Sequence, residues 1–175
     1  MKTALIFGSS GMVGNHLFNI IVQNNNYKHI KLFVRSVPKN NNSKVEIFQT
    51  DFTNLEKHKG SIVGDDCFFC IGTTRKDTPD KNEYRRIEYN IPINVAQIAK
   101  SNSVDSFVYV SSLGANPTSS GFYLKNKGQV EEELNNLNFP KLAVIRPSLL
   151  LGKRKRHRLG ESIAQYATQK LSSFF

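Results

Sequence analysis

The stretch IFGSSGMVGN, residues 6–15, carries glycines at positions 8, 11 and 14. An apolar run, TALIF, precedes it, and MVGNHLFNIIVQ follows with its apolar residues at helical spacing. A strand, a glycine-rich turn and a helix in this order predict the opening of a β-α-β unit. The start of a helix offers unpaired amides and a partial positive charge, and glycines let a phosphate approach them closely. The spacing is G-x-x-G-x-x-G, close to the G-x-G-x-x-G of dinucleotide sites. The Lys-Ser/Thr of a P-loop is missing, which argues against an NTPase.

The rest of the chain repeats the alternation. Strand-like runs fall at 3–8, 29–35, 45–50, 66–72, 106–112 and 141–146. Helical patterns fall at 12–24, 81–101, 122–138 and 159–173, with a short one at 53–59. Pro92 interrupts the 81–101 pattern and divides it in two, with Asn90 capping the second piece. Alternating strands and helices predict a parallel sheet covered on both faces. The 175 residues suit one domain, 1–175, and PKNNNSK at 38–44 is a polar loop rather than a boundary. No apolar run is long enough to span a bilayer and the start lacks a signal-peptide core, so no membrane is expected and the cytoplasm is the expected compartment.

Cys67 and Cys70 form a C-x-x-C, but in a strand positions three apart face opposite ways. The four histidines (16, 29, 58 and 157) are scattered, so two core thiols and no metal site are expected. The formal net charge is +10. Five of the basic residues lie in KRKRHR at 153–158. No aromatic residue interleaves that run, so it reads as a solvated loop without specific nucleic-acid binding.

A second constellation lies in FVYVSSLGANPTSSGFYLKNKG, residues 107–128. A strand ends in Ser111-Ser112, and Tyr123 and Lys127 open the next helix on one face. Two other Tyr-x-x-x-Lys pairs exist, Tyr27/Lys31 and Tyr166/Lys170, but neither follows a serine-ended strand. In a parallel sheet that strand end is where ligands bind. A free phenol titrates near pH 10. A nearby ammonium and a cationic nicotinamide favour its phenolate, and a serine hydroxyl can hold a carbonyl oxygen beside it. These groups make a proton relay for hydride transfer.

With these motifs the sequence resembles the short-chain dehydrogenase/reductases, in particular the small atypical branch that includes Tat-interacting-protein-like oxidoreductases and their bacterial relatives. GSSGMVG, CIGTTR (70–75), VSSLGA (110–115), YLKNKGQVEEEL (123–134) and RPSLLLGKR (146–154) carry the match in order. The resemblance implies a Rossmann fold, a doubly wound parallel sheet of order 3-2-1-4-5-6. It makes Tyr123 the acid/base, and Lys127 the residue that binds the nicotinamide ribose and tunes the tyrosine. Ser112 is the implied catalytic serine, with Ser111 as the alternative. The loop Gly8, Ser9, Ser10, Gly11, Met12, Val13 and Gly14 would hold the pyrophosphate. Gly72, Thr73 and Thr74 would line the cofactor, Asp51 and Phe52 would flank the adenine, Asn90 resembles a cofactor-side asparagine, and Pro147 would border the nicotinamide. Relatives usually continue past the end of this chain with residues that help build the substrate side.

The end of the second strand, KLFVRS, bears on the cofactor. An NAD site usually has a carboxylate about 20 residues past the glycines. Here Arg35 stands 21 residues after Gly14, and no acidic residue lies between Gly14 and Glu46. NADP(H) is therefore expected over NAD(H). The implied activity is NADPH-dependent oxidoreduction of a small carbonyl or alcohol, by a monomer or homodimer. The alternative is an NADP(H)-sensing regulator with little catalysis.

Overall fold

The computed structural model describes residues 1–40 and 42–148. The run at 153–158, the 159–173 helical pattern and the Tyr166/Lys170 pair lie outside them. Six strands form one sheet: β1 (Lys2–Phe7), β2 (Tyr27–Val34), β3 (Val45–Gln49), β4 (Asp66–Phe69), β5 (Ser106–Val110) and β6 (Lys141–Ile145). All neighbouring pairs are parallel and the order is β3-β2-β1-β4-β5-β6, the doubly wound Rossmann arrangement that the resemblance implies. The chain reverses its direction of travel between β1 and β4, which opens a crevice at the carboxyl ends of those strands.

Burial explains why β1 sits in the middle. Leu5 and Phe7 enter one core while Ala4 and Ile6 enter the other, and all four are fully buried. Helix α1 (Met12–Gln23) covers the Ala4/Ile6 face. Helices α3 (Ile91–Ser101) and α4 (Phe122–Asn136) cover the other. On that second face an aromatic row crosses five strands. Phe48, Phe33, Phe7, Phe69 and Tyr109 stand at matching register, with neighbouring rings 4.4–6.1 Å apart. Offset and tilted rings at such spacing add to their area burial. The row ends on Tyr109, whose hydroxyl faces the candidate site.

The 81–101 segment departs from expectation. Asp80 caps the short helix α2 (Lys81–Arg85) by accepting the Glu83 amide at 2.7 Å. A π-helical turn at Arg86–Asn90 then runs straight into α3. Asn90 is helical and makes no side-chain cap, so it does not start a separate helix. The reason is Pro92. It has no N–H for the carbonyl four residues back, and the turn shifts register so that Ile91 N–H bonds Arg86 C=O instead. The wider turn also carries Glu88 into the interior, where it is 2% exposed.

Candidate functional site

The glycine loop is shaped by steric limits. Gly8 has a φ of +91°, and a Cβ there would stand 2.8 Å from the backbone of Cys70 and Ile71. A Cβ on Gly14 would stand 2.2 Å from the Gly8 carbonyl oxygen. That oxygen accepts the Gly11 amide at 3.0 Å. The first bond within α1 runs from Asn15 N–H to Gly11 C=O, so the Met12, Val13 and Gly14 amides have no backbone acceptor among the described residues. No side chain caps this end and no acidic residue occupies the first turn. Three free amides at a helix start, beside glycines that a Cβ would obstruct, fit a pyrophosphate. Ser10 and Gly11 are exposed on the rim, whereas Ser9 is buried. Gly14→Ala is expected to cost about 2 kcal/mol of stability, because the obstructing atom is backbone and cannot turn aside. A thermal melt several degrees below wild type, with NADPH binding weakened in parallel, would bear this out.

The turn after β4 lies against that loop, since Cys70 and Ile71 are what Gly8 touches. Cys67 is buried in β4, and Cys70 stands just past the strand end. Burial pushes the Cys70 thiol up to about 11, and that of Cys67 higher than usual too, so neither is poised as a thiolate. Thr73 and Thr78 hydroxyls meet at 2.7 Å and Thr74 donates to Asp77 at 2.8 Å, which closes the 73–78 loop. The Thr73 amide donates to the Glu88 carboxylate.

Lys127 is 4% exposed and is held on three sides. Its Nζ is 3.0 Å from Glu88 Oε2 and donates to Tyr109 Oη and Val110 C=O, each at 3.1 Å. Burial by itself lowers the Lys127 pKa, but Tyr109 and Glu88 outweigh it and hold the ammonium above its ordinary value. Burial likewise pushes the Tyr109 phenol up to about 12 against the pull of Lys127. Tyr123 stands one helical turn earlier on α4 and is 39% exposed. The helix is seated against the 112–121 loop at Gly128, where a Cβ would stand 2.2 Å from the Asn116 backbone. Asn116 N–H also donates to Leu124 C=O at 3.1 Å.

The two serines separate. Ser111 is 3% exposed and gives its hydroxyl to Glu131, which in turn pairs with Arg146. Just past the end of β5, the Ser111 hydroxyl is thus engaged by a side chain of α4. Ser112 is half-buried and bonds only at 3.4 Å, to the carbonyl of its neighbour Leu113. Pro147 is drawn beside it, because Leu113 N–H donates to Pro147 C=O at 3.0 Å.

Arg35 and Asp51 share a cleft of about 350 Å³ with Gln49, Thr50, Thr53, Asn54, Lys57 and His58. Lys57 and His58 come from the 3-10 turn Leu55–Ser61, which sequence spacing alone does not bring to this edge. Phe52, next to Asp51, has a φ of 64°, and its ring is buried in the core 6.4 Å from Phe7. Asn90 is exposed and not drawn into the Lys127 cluster. Glu88 and Tyr109 are the site residues that sequence reasoning missed. Tyr27 and Lys31 are structural: Tyr27 donates to Asp66 at 2.8 Å, and Lys31 caps the Ser61 and Val63 carbonyls.

Comparison with known proteins agrees with this geometry. The NAD(P)H-binding family model matches residues 8–169. A Debaryomyces hansenii relative named "Protein FMP52, mitochondrial" is 36% identical over 171 residues, covering 96% of this chain and 74% of that protein. Rat HTATIP2 is 32% identical, covering 94% of this chain and 69% of its own length, in line with the Tat-interacting-protein-like resemblance. Among solved structures, Bordetella bronchiseptica WbmH in complex with NAD+ superposes with a TM-score of 0.76 at 17% identity, covering 97% of this chain. The chain spans only 63% of the WbmH chain. The expectation of a cytoplasmic protein is overturned by the FMP52 relatives, of which those of Debaryomyces hansenii, Scheffersomyces stipitis and Candida albicans are named mitochondrial. An apolar leader is only one of several targeting signals, so its lack does not report on the compartment.

Proposed function

Because this chain belongs to the NAD(P)H-binding family and is a relative of the FMP52 and HTATIP2 proteins, we propose that it is an NADPH-dependent oxidoreductase acting on a small carbonyl or alcohol, in the mitochondrion. The observation that carries this reading is the buried Lys127, charged and fixed one helical turn from the exposed Tyr123, at the carboxyl edge of the sheet. A pure cofactor-binding protein has no need of a half-exposed phenol beside a buried ammonium.

The Met12, Val13 and Gly14 amides hold the pyrophosphate. Gly72, Thr73 and Thr74 line one wall, and Pro147 borders the far end. Arg35 pairs with the 2′-phosphate. At the Pro147 end a nicotinamide would supply or accept the hydride. Ser112 Oγ donates a hydrogen bond to the substrate oxygen, and Tyr123 Oη gives that oxygen a proton during reduction. Lys127, as ammonium, stabilises the phenolate that remains.

The test is a pair of measurements on the purified chain. Calorimetry should detect NADPH binding, and loss of absorbance at the reduced-nicotinamide band should report turnover on a panel of small aldehydes and ketones. Binding without turnover on any substrate would leave a sensor and overturn the enzyme reading. No binding of either nicotinamide dinucleotide would overturn the whole proposal.

A further inference from the structure

Glu88 is unexplained by the relay itself. It is the most deeply buried acid near the site, at 2% exposure, and the π turn before Pro92 is what carries it there. Its two oxygens face different parts of the site. Oε1 accepts the Thr73 amide and lies 3.3 Å from where a Cβ on Gly72 would be. Oε2 lies 3.0 Å from Lys127 Nζ and has no hydrogen-bond geometry to any partner, so the contact is an ion pair.

We propose that Glu88 is a positioning residue that joins the two halves of the site, one oxygen fixing the Gly72–Thr73 turn that would line the cofactor and the other holding Lys127 as the ammonium the relay needs. The proposal rests on the oxidoreductase reading for its purpose, but the pairing itself can be tested without turnover. The groups facing Lys127 from the packed elements are Glu88 on the π turn, Tyr109 on β5, Tyr123 on its own helix and Cys70 after β4. Glu88 is the one carboxylate in that set. A buried ammonium without a counter-charge loses its proton far more readily. A carboxylate that also fixes the cofactor wall makes the state of the lysine and the shape of the wall depend on one side chain.

Glu88→Gln separates the two roles, since the amide oxygen can still accept from Thr73 while the charge is gone. The Lys127 ammonium is followed by NMR in protein labelled with nitrogen-15 at lysine, the signal being assigned by its loss in Lys127→Met. In Glu88→Gln the titration midpoint is expected to fall by roughly one to two pH units. In Glu88→Asp, which restores the charge, it should return most of the way. NADPH affinity, measured at pH 6.5 where the lysine keeps its proton, should be nearly unchanged in Glu88→Gln. It should fall about three- to tenfold in Glu88→Ala, which also loses the hydrogen bond. An unchanged midpoint in Glu88→Gln would overturn the proposal, and so would a wild-type midpoint below that of free lysine, a measurement that needs no variant. If the wild type fails to bind NADPH, the oxidoreductase reading falls while the midpoints still decide the role of Glu88.

Discussion

Tyr123→Phe should lower turnover about 10²–10⁴-fold, the usual loss for a positioned acid, and leave NADPH affinity nearly unchanged. The size of the effect follows from how little else the hydroxyl does. Tyr123 is 39% exposed near the start of α4, and its hydroxyl takes no part in the core. Two other tyrosines serve as contrast. Tyr27 donates to Asp66, and Tyr109 receives Lys127, so removing either hydroxyl would disturb packing as well as chemistry. Phenylalanine at 123 keeps the aromatic ring on α4 and deletes only the hydroxyl. Steady-state kinetics on a reducible carbonyl, with a thermal melt as control, measures it. A variant with a wild-type melt and undiminished turnover would remove Tyr123 from the chemistry.

Much of this architecture was legible in the sequence, because periodicity is a local signal and the central strand β1 is buried on both faces. Each strand begins and ends within about three residues of its expected bounds, and β4 is shorter than its apolar run because Cys70–Gly72 continue as an apolar turn past the sheet. The two loops that define the site, at 8–14 and 111–128, were also legible, since both depend on residue type at fixed spacing. What escaped depends on register in three dimensions. Apolar positions 84, 87, 91, 95 and 98 satisfy an unbroken α-helical spacing. The π turn at 86–90 changes that spacing by one residue and turns Glu88 inward, and nothing local announces it except Pro92. Ser111 and Ser112 look equivalent as a pair, yet past the end of β5 one hydroxyl goes to Glu131 and the other meets only the Leu113 carbonyl. The positive φ of Phe52, which accompanies the burial of its ring against Phe7, is not announced by any spacing. The steric need for Gly128 appears only when the Asn116–Pro117 backbone is found 2.2–2.3 Å from where a Cβ would be.

Charge at the end of β2 sets the expected cofactor preference. Arg35 stands just past β2, exposed, in the cleft that also holds Asp51, Lys57 and His58. Its backbone is fixed, because Gln49 donates to the Arg35 carbonyl at 3.1 Å, which leaves the guanidinium free to reach outward. Two cationic side chains of the cleft, Arg35 and Lys57, outnumber its single carboxylate, and a 2′-phosphate brings about two negative charges to such a place. A guanidinium can bind that phosphate through two hydrogen bonds, each charge-assisted bond being worth about 1.5–3 kcal/mol before solvent competition. Arg35→Ala is therefore expected to weaken NADPH about 10- to 100-fold and to leave NADH nearly untouched, because the 2′-hydroxyl of NADH offers the guanidinium no charge. Raising the salt concentration should narrow the wild-type preference, since the cleft is open and its charges are screened. Calorimetric titration of wild type and variant with both dinucleotides measures the difference. Equal loss for the two cofactors would assign Arg35 to the adenosine they share, and equal wild-type affinity would show that Arg35 does not read the phosphate.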